Sequence, residues 1–523
     1  MSERERSFHT YVERARALGY RVDLRIEAFA QPDGSLSMPS IYMVSGHGLS
    51  SLMREDDLEG WAGLVSREQQ VRRLRAQRGA GLSLGAPAPP DVAGPVAPGA
   101  PPGDPSRDYP QMATPLDLES AGYVEEEYFL DGDASSYLTP ELQDGLHVSA
   151  GHRYRTRMIV RRPLDPARFN GTAIVEWLNV SNFANVDQLW LEVGRYLLPR
   201  GYAYVGVSVQ RLGVHSPQTG LRAWCPRRYG SLDLTDGGTI VDDSLCYDVY
   251  SQAALAVRGK ASVKPLGPLT PELVLAYGGS QSGMRVRLYY NSVHRYARVF
   301  DGFMVALAAG RVRSDVEAPV FRIWTETEIM REAAPTRQPD SDTLRTWEVA
   351  GASHLSYRMA TSREPLVARG DIPGMPWELA RRPPLSRIPW GHPLIAGLEQ
   401  LGTWVRSGPA PPSAPRIELL GNAGDGPIVA RDRQGNALGG LRLSQHEVAT
   451  ACNMGLNAGP GWARLWGTHE PFDEETLRSL YASRGDYVER VRRVDRQNLA
   501  VGYIAEDAVA ENVLAAEQQA IGR

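Results

Sequence analysis

The stretch that constrains this chain most is residues 271–296, PELVLAYGGSQSGMRVRLYYNSVHRY. Residues 273–277 form an apolar run with the length and composition of a buried strand. Gly278-Gly279-Ser280-Gln281-Ser282-Gly283 follows. Then Met284, Val286, Leu288, Tyr289 and Val293 recur at the spacing of a helix with one buried face. Strand, tight small-residue turn and helix are the setting of a nucleophile elbow, where a serine is held at the apex in a strained backbone conformation. The residues two before and two after that serine must be small. Ser280 has Gly278 and Ser282 there, whereas Ser282 has Ser280 and the bulky Met284. Ser280 is therefore the better candidate nucleophile, in a G-x-S-x-S rather than a G-x-S-x-G pattern. A Gly/Ser-rich turn that merely joins a strand to a helix would read the same way.

A serine hydroxyl attacks only when a base removes its proton, and a third group must orient that base. Downstream of Ser280, residues 318–328 read as a strand running into a polar loop with two carboxylates, Glu326 and Glu328. The acid of such a site sits a short loop beyond the strand end, which favours Glu328 over Glu326. Residues 343–350 read as the next strand and end in Gly351-Ala352-Ser353-His354. A histidine in a small-residue loop just past a strand is well placed to be the base. His294 falls in the helix after the elbow, and His215 precedes the serine. The developing oxyanion needs preorganised donors. The backbone N–H of Gln281 is one, and the loop 178–182 after an earlier strand supplies the other, with Asn179 the candidate. The asparagines of that loop would serve ordinary turn chemistry equally well.

From Tyr109 onward strands and helices alternate. Residues 123–130 and 154–160 read as antiparallel strands near an edge. Residues 172–178 and 202–207 read as central strands, 189–198 and 243–257 as helices, and 299–307, 320–324 and 344–350 as further strands. This alternation predicts an α/β fold with a mostly parallel central sheet flanked by helices. The expected organisation is an N-terminal extension and linker over 1–105 and a catalytic domain with cap insertions over 106–523. The extension has mixed-charge, partly helical stretches at 11–18 and 61–74. Residues 85–105 hold eight prolines, four glycines and no aromatic residue, too little apolar surface to offset the entropy of ordering. After His354, residues 358–390 are rich in arginine and proline and carry Trp377 and Trp390, which fit a cap whose tryptophans line a substrate pocket or pack the cap down. Residues 394–405 read as an amphipathic helix, and 476–502 as a charged helical tail.

The formal net charge of −4 over 523 residues gives no footprint for nucleic acid or an anionic membrane. Three widely spaced cysteines, Cys225, Cys246 and Cys452, form neither a disulfide framework nor a zinc pattern. The charged first residues lack the apolar core of a signal peptide, and no apolar run reaches the ~18 residues of a membrane span. A cytoplasmic location is the default expectation.

Several segments together give the chain a family resemblance: Phe169-Asn170-Gly171-Thr172, Val175-Glu176-Trp177-Leu178-Asn179-Val180, Tyr247-Asp248-Val249-Tyr250-Ser251-Gln252, Ser280-Gln281-Ser282-Gly283, Arg337-Gln338-Pro339-Asp340-Ser341-Asp342, Trp347-Glu348-Val349-Ala350-Gly351 and Ser413-Ala414-Pro415-Arg416. The chain resembles the bacterial alpha/beta hydrolase domain-containing proteins of the α/β-hydrolase superfamily, over roughly residues 110–515. The resemblance implies an α/β-hydrolase fold, Ser280 as nucleophile, His354 as base, an acid near Glu328, and ester-type hydrolysis without a named substrate. Proteins similar to this pattern tend to carry aspartate where Glu328 stands and arginine where Met284 stands. The expected function is a serine hydrolase that cleaves a carboxylic ester or lactone through an acyl-enzyme. Amide hydrolysis, acyl transfer and non-catalytic binding on the same scaffold are the alternatives. No cofactor or metal is expected. The expected partner is a small-molecule ester, not nucleic acid or a membrane, and a homo-oligomer is left open.

Overall fold

The computed structural model describes residues 3–18, 20–26, 29–30, 36–38, 41–46, 49–54, 85–423 and 426–521. The stretch 61–74, read above as helical, lies outside the described residues. The chain divides into two compact units, Met1–Asp187 with Arg200–Asp301 and Leu366–Pro373, and Gln188–Pro199 with Gly302–Pro365 and Gly374–Arg523. The main sheet has nine strands and is mostly parallel in its central part.

Six of the nine belong to the first unit: β1 (Asp91–Ala93), β2 (Tyr123–Leu138), β3 (Leu146–Pro163), β4 (Thr172–Trp177), β5 (Ala203–Val207) and β6 (Leu273–Gly279). Their order is β6-β4-β5-β3-β2-β1. β4 pairs in parallel with β5 and β6, and Val175 faces Val205 on one side and Ala276 on the other. These strands are buried along their whole length, as parallel strands covered on both faces must be, which explains their continuous apolar sequence. β3, β2 and β1 add antiparallel pairs toward the edge. Helices α1 (Cys246–Val257) and α2 (Gln281–Ser292) also belong to this unit.

The strand β1 lies within the stretch that the sequence marks as a linker. Its register sets Val92 opposite Leu130, and Val92 is buried. Val96 N–H donates to the Glu127 carbonyl at 2.7 Å, and Arg228 donates to the carbonyls of Val96 and Ala97. Three residues suffice for an edge strand. The flanking Pro90 and Pro95 sit outside the ladder, where a missing N–H costs nothing. Further toward the N-terminus, helix Glu3–Ala17 presents Phe8, Val12 and Ala15 to a small cluster with Tyr20, Val22 and Val44. The strands Arg21–Ile26, Ile41–Gly46 and Leu49–Arg54 pair antiparallel there.

The second unit carries β7 (Gly302–Ala306), β8 (Val320–Thr325) and β9 (Leu344–Val349), parallel and in the order β9-β8-β7. Phe303 faces Val320, and Ile323 faces Trp347. Helices α3 (Gly391–Ser407), α4 (Arg484–Val501) and α5 (Glu506–Glu517) follow. The charged tail is two helices rather than one, Glu474–Leu480 and α4, because Ser483 caps a new start by accepting from Asp486 N–H. Among the described residues no helix is long and apolar enough to cross a membrane.

Candidate active site

In the first unit β6 ends at Gly279, α2 starts at Gln281, and Ser280 is the single residue between them. Its backbone lies at φ 61° and ψ −123°. A side chain with a Cβ is held there at a cost of roughly 1–3 kcal/mol, so the surroundings must enforce it. They do. A Cβ on Gly278 would meet the Ser282 carbonyl at 2.5 Å and Val286 at 2.7 Å, so that position takes only glycine. The Ser282 hydroxyl donates to the Gly279 carbonyl at 2.8 Å and accepts from Gly279 N–H at 3.1 Å, bracing the turn. The N–H of Gln281 opens α2, at the helix end where backbone donors are left over and the dipole favours negative charge.

The loop after β4 is anchored to this turn. The Asn179 carboxamide donates to the Gly279 carbonyl at 3.1 Å, while its Oδ1 accepts from Ser181 N–H at 2.8 Å. The backbone N–H of Asn179 donates to Val186 at 3.0 Å. The main-chain N–H of Asn179, the sequence candidate for the second oxyanion donor, is thus committed, and one N–H of its carboxamide ties the loop to the residue before the serine. The N–H of Val180 has no acceptor among the described residues. Beneath the turn, Arg285 of α2 donates to Asp243 at 3.0 Å and to the Tyr247 hydroxyl at 3.2 Å. Gln210 bridges Asp243 to the Trp177 indole. Sequence reasoning missed this buried set, whose ion pair is satisfied on all sides as burial requires. The mixed polar and apolar order of residues 243–250 gave it no distinct signal.

In the second unit the turn after β8 carries Glu328 and the loop after β9 carries His354. Nδ1 of His354 lies 2.6 Å from Oε1 of Glu328. The other carboxylate oxygen accepts from the N–H of Thr325 at 2.8 Å and from its hydroxyl at 2.7 Å. Burial pushes the Glu328 carboxyl up, but the His354 charge and hydrogen bond, with the two Thr325 donors, outweigh burial and hold it below the ordinary carboxylate range. An ionised carboxylate only accepts, so Nδ1 carries a hydrogen, and Nε2 is the ring nitrogen left to exchange a proton. Glu326, the alternative acid, turns the other way: Oε1 accepts from Arg431 at 2.7 Å and Oε2 from Gly351 N–H at 2.9 Å.

Trp390 is fully buried, 0% exposed. A side chain with no accessible surface cannot line an open pocket, so Trp390 is corrected to a packing residue at the start of α3. Trp377 is 38% exposed and packs against Trp466 with ring centroids 4.7 Å apart. Burial pushes His215 and His294 down to about 4. Among the described residues no group of three or more His, Cys, Asp or Glu could hold a metal ion.

Comparison with known proteins gives a family match over residues 92–514, to the model described as an alpha/beta hydrolase domain. Among curated proteins no relative matches. Structure comparison returns XC6422 from Xanthomonas campestris, an a/b serine hydrolase without lid, at 16% identity over 46% of this chain and 97% of that one, TM-score 0.26. It also returns a cold-adapted esterase from an Arctic intertidal metagenomic library, at 13% identity over 43% and 85%, TM-score 0.25. A third is an alpha-beta serine hydrolase homologue from Coxiella burnetii, at 13% identity over 41% and 91%, TM-score 0.23. At such TM-scores these likenesses carry no weight of their own.

Proposed function

The chain belongs to the alpha/beta hydrolase domain family, and from that premise we propose that it is a serine hydrolase acting on a small carboxylic ester or lactone. In this reading Ser280 Oγ attacks the carbonyl carbon while Nε2 of His354 takes its proton. Glu328 holds the Nδ1–H and stabilises the imidazolium. The oxyanion rests on the N–H groups of Gln281 and Val180, at the start of a helix and in a loop anchored beside it. Collapse of the tetrahedral intermediate breaks the bond to the leaving oxygen, which receives the proton from His354. Water then attacks the acyl-enzyme, His354 takes its proton, and the acid departs as Ser280 is restored. Trp377 is the remaining tryptophan candidate for a pocket wall.

The observation that carries the reading is the strained backbone of Ser280 between a buried strand and a helix. Strain of this kind persists where the fold over-determines it, and a serine raised on such a turn is the one positioned to react. The test is a panel of esters of graded acyl length, assayed with the wild type, Ser280→Ala and Glu328→Gln. The wild type is expected to turn over at least one ester. Ser280→Ala should lower kcat about 10³-fold or more, and Glu328→Gln up to about 10⁴-fold with the fold intact. Turnover of no ester by the wild type, or undiminished turnover by Ser280→Ala, would reject the reading.

A further inference from the structure

We infer that Glu326 is a positioning residue: its buried carboxylate fixes the loop that carries His354 to the turn that carries Glu328, with Arg431 as its counter-charge. The inference rests on the proposed serine-hydrolase reading and deepens it.

Four consecutive side chains, from Thr325 at the end of β8 to Glu328, are all engaged. Thr325 grips one oxygen of Glu328, and Glu328 holds His354 with the other. Glu326 and Thr327, between them, reach two other parts of the chain. The Glu326 side chain is fully buried, 0% exposed. Its Oε2 accepts from Gly351 N–H at 2.9 Å, and its Oε1 accepts from Gly455 N–H at 3.1 Å and from Arg431 Nη2 at 2.7 Å. Thr327 Oγ1 accepts from His354 N–H at 2.9 Å and donates to the Gly455 carbonyl. The histidine loop is thus held at residue 351 by Glu326 and at residue 354 by Thr327. Both holders also grip Gly455.

Both anchors are glycines packed so closely that a side chain has no room. Gly351 has φ +71°, and a Cβ there would lie 2.6 Å from His446 Nδ1. A Cβ on Gly455 would lie 2.5 Å from Thr327 N. Arg431 is fixed in turn, since Nη1 donates to the Gly435 carbonyl at 3.0 Å. A buried carboxylate is tolerable only when paired and hydrogen-bonded, and here two backbone donors and one guanidinium satisfy it. Such a network holds a loop more rigidly than apolar packing would. The residue it steadies is the one whose Nδ1 must stay within hydrogen-bond reach of Glu328. A misplacement of about 1 Å in such a pair costs on the order of 10²-fold in rate. Arg431 and Gly455 therefore belong to the apparatus that sets the histidine–carboxylate geometry.

The test uses the full chain with Glu326→Gln and Arg431→Lys, an ester that the wild type turns over, and a fluorophosphonate probe for Ser280. Glu326→Gln keeps the size of the side chain but sets an N–H₂ against one of its donor partners. It is expected to lower kcat about 10²-fold with KM nearly unchanged. The labelling rate should fall alike, while the final labelled fraction matches that of the wild type. Arg431→Lys keeps the charge and should stay within about tenfold of the wild type. If Glu326→Gln melts below the assay temperature, the double variant Glu326→Gln/Arg431→Gln, which removes both charges together, is held to the same expectation. Labelling of Glu326→Gln at the wild-type rate overturns the inference, as does a loss that appears only as a smaller labelled fraction. A wild type that takes no label at Ser280 overturns the serine-hydrolase reading, and the inference with it.

Discussion

Ser280 is defined by what its neighbours forbid. Gly278 has no room for a Cβ and Ser282 spends its hydroxyl on Gly279, so the turn can present one serine and brace itself with the other. Two predictions follow from that division of labour. Ser280→Ala and Ser280→Gly both remove the hydroxyl, but only glycine relieves the positive φ, so Ser280→Gly should be the more stable of the two by about 1 kcal/mol. Paired denaturant melts measure it, and equal stability would mean that the turn is not strained. Ser282→Ala should retain activity within about tenfold, yet lose about 1–3 kcal/mol of stability because Gly279 N–H is left without its acceptor. The competition between the two serines was legible from the sequence, since it depends on residues two positions away. The role of Glu326 was not, because its partners Arg431 and Gly455 are 105 and 129 residues distant. Asn179 drew notice as a polar residue in the right loop, but which of its donors is already used depends on Val186 and Gly279.

Among elements, the parallel strands could be read because complete burial writes itself as continuous apolar sequence, as in β4, β5 and β6. The edge strand β1 could not. Three residues between prolines carry no period, and their place depends on Phe129 to Asp131 across the ladder. The family match begins at residue 92, inside this strand. Deletion of residues 1–84 should therefore leave a cooperative melt and ester turnover in the remaining chain. Deletion of residues 1–105 also removes the Val92 pairing and the acceptors of Arg228 at Val96 and Ala97. It should lower the melting midpoint by several degrees more, at roughly 2–4 °C per kcal/mol. Thermal melts of the two truncations separate these outcomes, and equal midpoints would mean that β1 contributes nothing.

For the molecule as a whole, the mostly parallel α/β sheet was legible in the alternation of strands and helices and the family in a handful of short segments, whereas the order of the strands and the long-range polar networks follow from tertiary contact alone. One buried carboxyl makes stability depend on pH. Asp495 of α4 is fully buried and neither of its oxygens has a hydrogen-bond partner among the described residues. Burial pushes its carboxyl up to about 6, partly offset by the nearby polar groups of Ser444 and Asn512, which stop short of hydrogen-bond geometry. Its folded pKa therefore lies above the ordinary aspartate value of 3.8. The folded state holds the proton more tightly, so stability falls as pH rises from about 4 through 6 and levels off above. Asp495→Asn should raise the stability at pH 8 by an amount on the order of 2–3 kcal/mol and change it little near pH 4, as denaturant melts at the two pH values would read. A gain that is the same at both pH values would mean that the carboxyl is not perturbed. The central claim remains that Ser280 is the nucleophile. Its most direct measurement is mass spectrometry of the chain after reaction with a fluorophosphonate. The expected result is a single adduct on Ser280, formed in step with the loss of ester turnover and absent from Ser280→Ala. An adduct on Ser282 or elsewhere, or turnover that survives full labelling, would contradict it.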